Sequence, residues 1–196
     1  MPAAAAPSHH AALYLIDISG YIFRAYHALP ALSSPEGVPT GATYGFFQML
    51  CKLLDEAQPS HLAAVFDTGA PSFRRELSPA YKANRPPVPE DLVPQFEWID
   101  RLVAAFRIPA LRSAGFEADD VIATLTAQAR AAGLEVVIVS SDKDLLQLAG
   151  DGVSLLDPVK GVRLGPPEVV ERFGVPPERL GDWLAGRPAP ASLRRP

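Results

Sequence analysis

The stretch SAGFEADDVIATL, residues 113–125, sets Glu117, Asp119 and Asp120 within four consecutive positions and then runs directly into an apolar pattern of helical spacing. Acids in a first helical turn are favoured by the helix dipole and its unpaired N–H groups, so capping is one reading. Three like charges this close also repel, and a shared cation would relieve them, which is the other reading. More acids stand at the ends of three apolar runs: Asp17 in LYLIDI, Asp67 in HLAAVFD, and Asp142 in LEVVIVSSD, with Asp144 two residues further on. A second constellation lies in GAPSFRRELSPAYKANRPPVPEDL, residues 69–92, where Arg74, Arg75, Lys82 and Arg85 alternate with Phe73 and Tyr81. Cations meet phosphates and aromatic faces stack on unpaired bases, so this segment has the composition of a grip on single-stranded nucleic acid beside Asp67. A solvated charged loop is the competing reading. In ISGYIFRAYHALP, Arg24 is in range of a phosphate held by metals or of a rim carboxylate.

These residues need elements to position them. The three acid-tipped runs have strand character and alternate with helical patterns: GATYGFFQMLCKLLDEA, EDLVPQFEWIDRLVAAF and ADDVIATLTAQARAAG, the last ending at Gly133. A shorter strand, VSLLDP, and two short helices, PPEVVERFG and PPERLGDWLAG, follow. Nearly continuous apolar strands separated by helices predict an α/β fold, a mostly parallel sheet covered on both faces. Ligands bind such sheets outside the carboxyl ends of the strands. Asp17, Asp67 and Asp142 all fall at that edge, and the helix from Ala118 joins them if IPALRSAGFE returns the chain there. Asp17, Asp67, Glu117, Asp119, Asp120, Asp142 and Asp144 would then share one rim, too many acids to be caps alone. One or more Mg2+ or Mn2+ ions is the economical counter-charge. No histidine or cysteine sits among them, which disfavours zinc.

The bulk composition is compatible. A chain of 196 residues with 48% hydrophobic content makes one domain with a sizeable core. The net charge of −4 excludes a global basic field, but surplus carboxylates at a metal site leave room for local basic patches. A single cysteine, Cys51, excludes an internal disulfide. No apolar run is long enough to span a membrane, and MPAAAAPSHHAA lacks a signal-peptide pattern, so a disordered tail over 1–12 and a cytoplasmic location are expected.

Together these motifs closely resemble the 5′-nuclease domain found at the N-terminus of bacterial DNA polymerase I, related to flap endonucleases. The resemblance rests on LIDISGYIFRAYHALP, GVPTGATYGFFQML, AAVFDTGAPSFRRELSPAYKANRPPVPEDL, GFEADDVIATLTAQA, SSDKDLLQL and GPPEVVERFGVPPERLGDWLA, and covers about residues 13–185. It implies a PIN-like α/β fold and metal-dependent hydrolysis of DNA, or of RNA in RNA–DNA hybrids, from a 5′ end or at a flap. It further implies that Asp17, Asp67, Glu117, Asp119 and Asp120 lie at a first metal site and Asp142 and Asp144 toward a second. Arg74, Tyr81, Lys82 and Arg85 would belong to an arch over the 5′ strand, with Arg74 and Lys82 holding the scissile phosphate. In such chemistry one ion lowers the pKa of a water molecule and a second offsets charge on the leaving oxygen. A polymerase domain in a longer parent protein is the implied partner.

Two departures stand out. Where the family reads Asp-Gly-Ser after the first strand, this chain has Asp17-Ile18-Ser19, and a β-branched Ile18 is expected to crowd the metal or the substrate end. After GDWLA the family continues into a further aspartate cluster and a Gly-rich helix–loop–helix element, whereas here GRPAPASLRRP, residues 186–196, reads as a disordered, truncated end. Impaired catalysis is the corresponding expectation. A non-catalytic nucleic-acid-binding fragment is the alternative, and a small-molecule phosphohydrolase is a weaker one because Ser19 stands where a second aspartate would be needed.

Overall fold

The computed structural model describes residues 11–186. In chain order the elements are β1 (Ala12–Asp17), α1 (Ile18–Ala28), α2 (Gly41–Ala57), β2 (His61–Val65), α3 (Phe73–Leu77), α4 (Val93–Ala105), β3 (Ala110–Leu111), α5 (Ala118–Ala131) and β4 (Glu135–Val139). A 3-10 turn (Asp144–Leu148), β5 (Val153–Asp157), β6 (Val162–Leu164), α6 (Pro166–Phe173) and α7 (Pro177–Leu184) complete it. The strands form one six-stranded sheet in the order β3-β2-β1-β4-β5-β6. All neighbours are parallel except β5 and β6, which close the edge as an antiparallel pair. This is the expected mostly parallel α/β architecture.

Side-chain alternation along the strands divides the core into two layers. Tyr14, Ile16, Val137 and Val139 face one layer with Phe46 and Leu50 of α2, Ile22 of α1 and Ile99 of α4. Leu15, Val136 and Ile138 face the other, against Ile122 of α5, Leu146, Val169 of α6 and Leu180 of α7. Helix α2 crosses α1 closely at Gly45, where a Cβ would sit 3.2 Å from both the Cβ and the carbonyl oxygen of Ala25. Gly133, in the left-handed region at φ +80°, follows α5 as its sequence position suggests.

The local surprises are small elements. The segment after Asp17 is helical from its first residue, and α3, β3 and β6 are too short to announce themselves by periodicity. Strand β3 matters most: Ala110 and Leu111 pair in parallel with Ala64 and Val65, returning the chain to the carboxyl edge just before α5. The tail expected over 1–12 overlaps β1 at its last residue, since Ala12 pairs with Glu135 and its N–H donates to Ser60 Oγ at 3.2 Å. The rest of that tail, and all of the second beyond Gly186, lies outside the described residues. Among the described helices none is long and apolar enough to cross a membrane.

Candidate metal centre and nucleic-acid groove

The sheet order reverses between β1 and β4, the place where an open α/β sheet opens a crevice beyond its carboxyl edge. Asp17 is the last residue of β1 and the N-cap of α1; its Oδ1 accepts the Gly20 N–H at 3.1 Å. Its Oδ2 accepts the buried Ser140 hydroxyl, just past β4, at 2.7 Å. Asp67, just past β2, accepts Ser19 Oγ on Oδ2 at 2.6 Å and the Ala118 N–H of α5 on Oδ1 at 2.8 Å. Asp142 follows β4; its N–H donates to Ser140 Oγ at 3.0 Å and its Oδ1 accepts the Asp144 N–H at 2.9 Å. Asp119 stands in the first turn of α5.

Electrostatics bind four of these into one group. Burial, and then the charges of Asp17, Asp142 and Asp67, push the Asp119 carboxyl up to about 7 from an ordinary 3.8. Asp17 is raised too, chiefly by burial and in part by Asp67 and Asp142, against the lowering effect of its Gly20 and Ser140 hydrogen bonds. The edge thus carries more negative charge than its surroundings neutralise. Asp144, tied to Asp142 through its own N–H, is exposed at the start of the 3-10 turn.

Glu117 and Asp120 are instead matched to the basic segment. Arg74 forks onto both oxygens of Asp120 at 2.6 and 2.7 Å, while Asp120 Oδ2 also accepts the Glu117 N–H at 3.0 Å as a helix cap. The Arg74 hydrogen bond holds the Asp120 carboxyl below its ordinary range despite burial, and the guanidinium is raised in turn. Glu117 Oε1 accepts Lys82 Nζ at 2.8 Å and Ser72 Oγ at 3.3 Å; Oε2 accepts the Tyr81 hydroxyl at 3.0 Å. Burial alone would raise Glu117, but its bonds to Lys82 and Tyr81 win and lower it. Burial would likewise depress Lys82, and the Glu117 carboxylate outweighs it, leaving the ammonium raised. The seven expected acids therefore separate into an uncompensated set (Asp17, Asp67, Asp119, Asp142), a cation-paired couple and the exposed Asp144. Among the described residues no three His, Cys, Asp or Glu side chains form a ready ligand cage.

Beside the carboxylates opens a groove of about 990 Å³, lined among others by Ser19, Asp67, Arg75, Tyr81, Lys82 and Arg85. Lys82 sits in the left-handed region at φ 56°, an uncommon backbone for a non-glycine residue. Aromatic faces support the cations: Arg74 lies 4.7 Å from the Phe73 ring centre, and Phe73 contacts Phe116 at 5.7 Å. Arg24 is exposed on α1, outside the residues lining the groove, and makes no ion pair with a described residue.

Ile18, expected to crowd the site, borders the groove with most of its side chain turned inward. It is 1% exposed and packs in the layer with Tyr21 and Phe46 while forming part of the groove floor beside Ser19. The close approach falls two residues later, at Gly20, where a Cβ would be driven into Asp17 Oδ2. The structure also adds Ser19, Ser72 and Ser140, whose hydroxyls hold site carboxylates and which sequence reasoning does not single out as site residues. Their only signal is adjacency: each serine stands within a few residues of a site aspartate or arginine.

Residues 12–174 match the family described as 5′-3′ exonuclease, N-terminal resolvase-like domain. DNA polymerase I of Rhizobium leguminosarum is 50% identical over 181 residues, covering 88% of this chain and 18% of that protein. A 5′-3′ exonuclease of Aquifex aeolicus is 39% identical over 173 residues, covering 88% of this chain and 60% of that protein. The chain thus spans only part of the length of these curated relatives. Among solved structures, the bacteriophage T5 D15 flap endonuclease in a pseudo-enzyme-product complex with DNA and metal ions superposes with a TM-score of 0.65 at 22% identity, over 84% of this chain and 61% of that one. That likeness establishes the shared fold, and the extent of the sequence match makes this chain a member of the 5′-3′ exonuclease N-terminal domain family.

Proposed function

We propose that the chain carries the phosphodiester-hydrolysing site of a 5′-3′ exonuclease or flap endonuclease acting on DNA with 5′ ends or flaps. The observation that carries this reading is the uncompensated four-aspartate edge, one of whose members, Asp67, lines a groove together with Tyr81, Lys82 and Arg85.

The donor set fits a hard divalent cation: every acid at this edge offers oxygen alone, and Asp119 is lifted to about 7 by burial and by neighbours of its own sign, a mismatch that Mg2+ or Mn2+ would relieve. Asp17, Asp67, Asp119 and Asp142 would hold such ions, with Glu117, Asp120 and Asp144 at the margin. When bound, the ions would acidify a water molecule and offset charge at the scissile phosphate. The chain's own residues do the rest. Asp17 and Asp67 are fixed by the hydrogen bonds of the sheet edge, so the ligand oxygens are preset. Lys82, Arg85 and Arg75 offer cationic donors to phosphate along the groove, and Tyr81 offers a face for an unpaired base. No serine, histidine or cysteine nucleophile is required.

The test is cleavage of a labelled 5′-flap duplex with Mg2+ or Mn2+, comparing the chain with Asp119→Ala and running an RNA 5′ strand on DNA as a second substrate. Metal-dependent release of 5′ products that Asp119→Ala removes is the expected result. Binding of the flap without turnover under either ion would overturn the catalytic reading and leave a binding module.

A further inference from the structure

The carboxylate edge is held by a chain of hydroxyls that steps across neighbouring strands. Ser140, just past β4, donates to Asp17 at the tip of β1. Ser19, just past β1, donates to Asp67 beyond β2. Each aspartate is thus oriented by the segment following the next strand in the sheet order, and each receives a backbone N–H on its other oxygen, from Gly20 and Ala118 respectively. Ser140 is only 3% exposed and both its roles are filled, since its oxygen also accepts the Asp142 N–H. One hydroxyl therefore ties the β1 carboxylate to the loop that carries Asp142, across the point where the sheet order reverses. A carboxylate oxygen offers about two lone-pair sites, so one accepted hydrogen bond on each oxygen still leaves both able to bind an ion.

We propose that Ser140 and Ser19 are positioning residues of the ion site, Ser140 setting Asp17 and the Asp142 loop together and Ser19 setting Asp67. This rests on the metal-dependent reading above. A carboxylate that is free to rotate loses ordering entropy on binding an ion, whereas one already hydrogen-bonded has its oxygens aimed. Partners of metal ligands of this kind typically change affinity by about 10–100-fold when removed.

The experiment titrates Mn2+ alone into the purified chain by calorimetry, for the unaltered protein and for Ser140→Ala, Ser19→Ala, Ser19→Thr and Asp119→Asn. Thermal unfolding in chelator runs in parallel. Ser140→Ala and Ser19→Ala are expected to weaken Mn2+ by about tenfold or more, with Ser19→Thr, which keeps its hydroxyl, close to the unaltered chain. On a flap substrate the two alanine variants should lower kcat with KM little changed. A merely structural role predicts a lower unfolding temperature with unchanged Mn2+ affinity, and that result overturns the inference. If the unaltered chain binds no Mn2+, or Asp119→Asn leaves binding intact, the metal reading itself falls and the inference with it. Normal loss on Asp119→Asn together with unchanged affinity in both serine-to-alanine variants overturns only the inference.

Discussion

At the scale of single residues, Asp119 is the sharpest reporter of the charge imbalance. Its folded-state carboxyl titrates at about 7, well above the ordinary 3.8 expected in an unfolded chain. Between those values the folded protein binds more protons than the unfolded one, so the slope of stability against pH is negative there. The metal-free chain should therefore lose stability as pH rises through that window, in contrast to the usual behaviour of a salt-bridged aspartate. Asp17, also raised, acts in the same direction. Urea unfolding in chelator at pH 5 and pH 8 checks this: Asp119→Asn should flatten most of the decline, and a steeper decline in the variant would show that the burden lies elsewhere. Glu117 and Asp120 work oppositely, because their cationic partners hold them low and their contribution is lost only as pH falls through their depressed values.

At the scale of elements, α1 shows how a strand end and a helix start share one residue. Asp17 closes β1 and caps α1 through the Gly20 N–H, so the first turn of the helix aims the carboxylate. Gly20→Ala introduces a better helix former but pushes its methyl into Asp17 Oδ2, beside Ser140 Oγ at 3.5 Å. The expected outcome is a rotated carboxylate and Mn2+ binding weaker by about tenfold, with far-UV circular dichroism unchanged. Unaltered affinity would mean that the glycine serves only packing.

The same element marks what is legible in sequence. The long helices and the acid-tipped strands can be read because their periodicities persist over several turns or several alternations, and the pattern of α2 runs to its observed ends. The convergence of Asp17, Asp67 and Asp142 follows from parallel topology alone. The division of labour among the acids is not readable: Glu117 and Asp120 meet Arg74, Lys82 and Tyr81 across more than thirty residues of sequence, which no local spacing encodes. The inward packing of Ile18 is hidden for a related reason. The segment after Asp17 is helical from its first residue, so Ile18 turns into the core. The serines stay hidden because a hydroxyl in a loop carries no pattern until its partner strand is known.

At the scale of the whole molecule, a chain of net charge −4 gathers its useful positive charge into one segment beside the acidic edge. Binding of a 5′ single strand should then be strongly salt-dependent although the protein is acidic. For each phosphate that a substitution leaves without its cation, the slope of log K against log salt should become shallower by about 0.7 on single-stranded DNA. Fluorescence anisotropy of a 5′-labelled strand over a salt series, comparing Arg85→Ala and Arg75→Ala with the unaltered chain, measures this. Weaker binding with an unchanged slope would remove those side chains from the phosphate path.

The strand order also has a temporal side. Asp17 lies on β1, whose partner β4 follows only after α1 to α5 have been traversed, and Ala12 pairs with Glu135 across that whole span. Closing so large a loop is entropically slow, and parallel pairing of this kind comes late. Asp17 cannot be held by Ser140 until it is done. On the proposed metal-dependent reading, ion capture is a clock for the completion of folding: in stopped-flow refolding with Mn2+ present, metal uptake should lag the recovery of helical signal and coincide with the slowest phase. A nascent chain stalled before β4 would have most of its acids and no site.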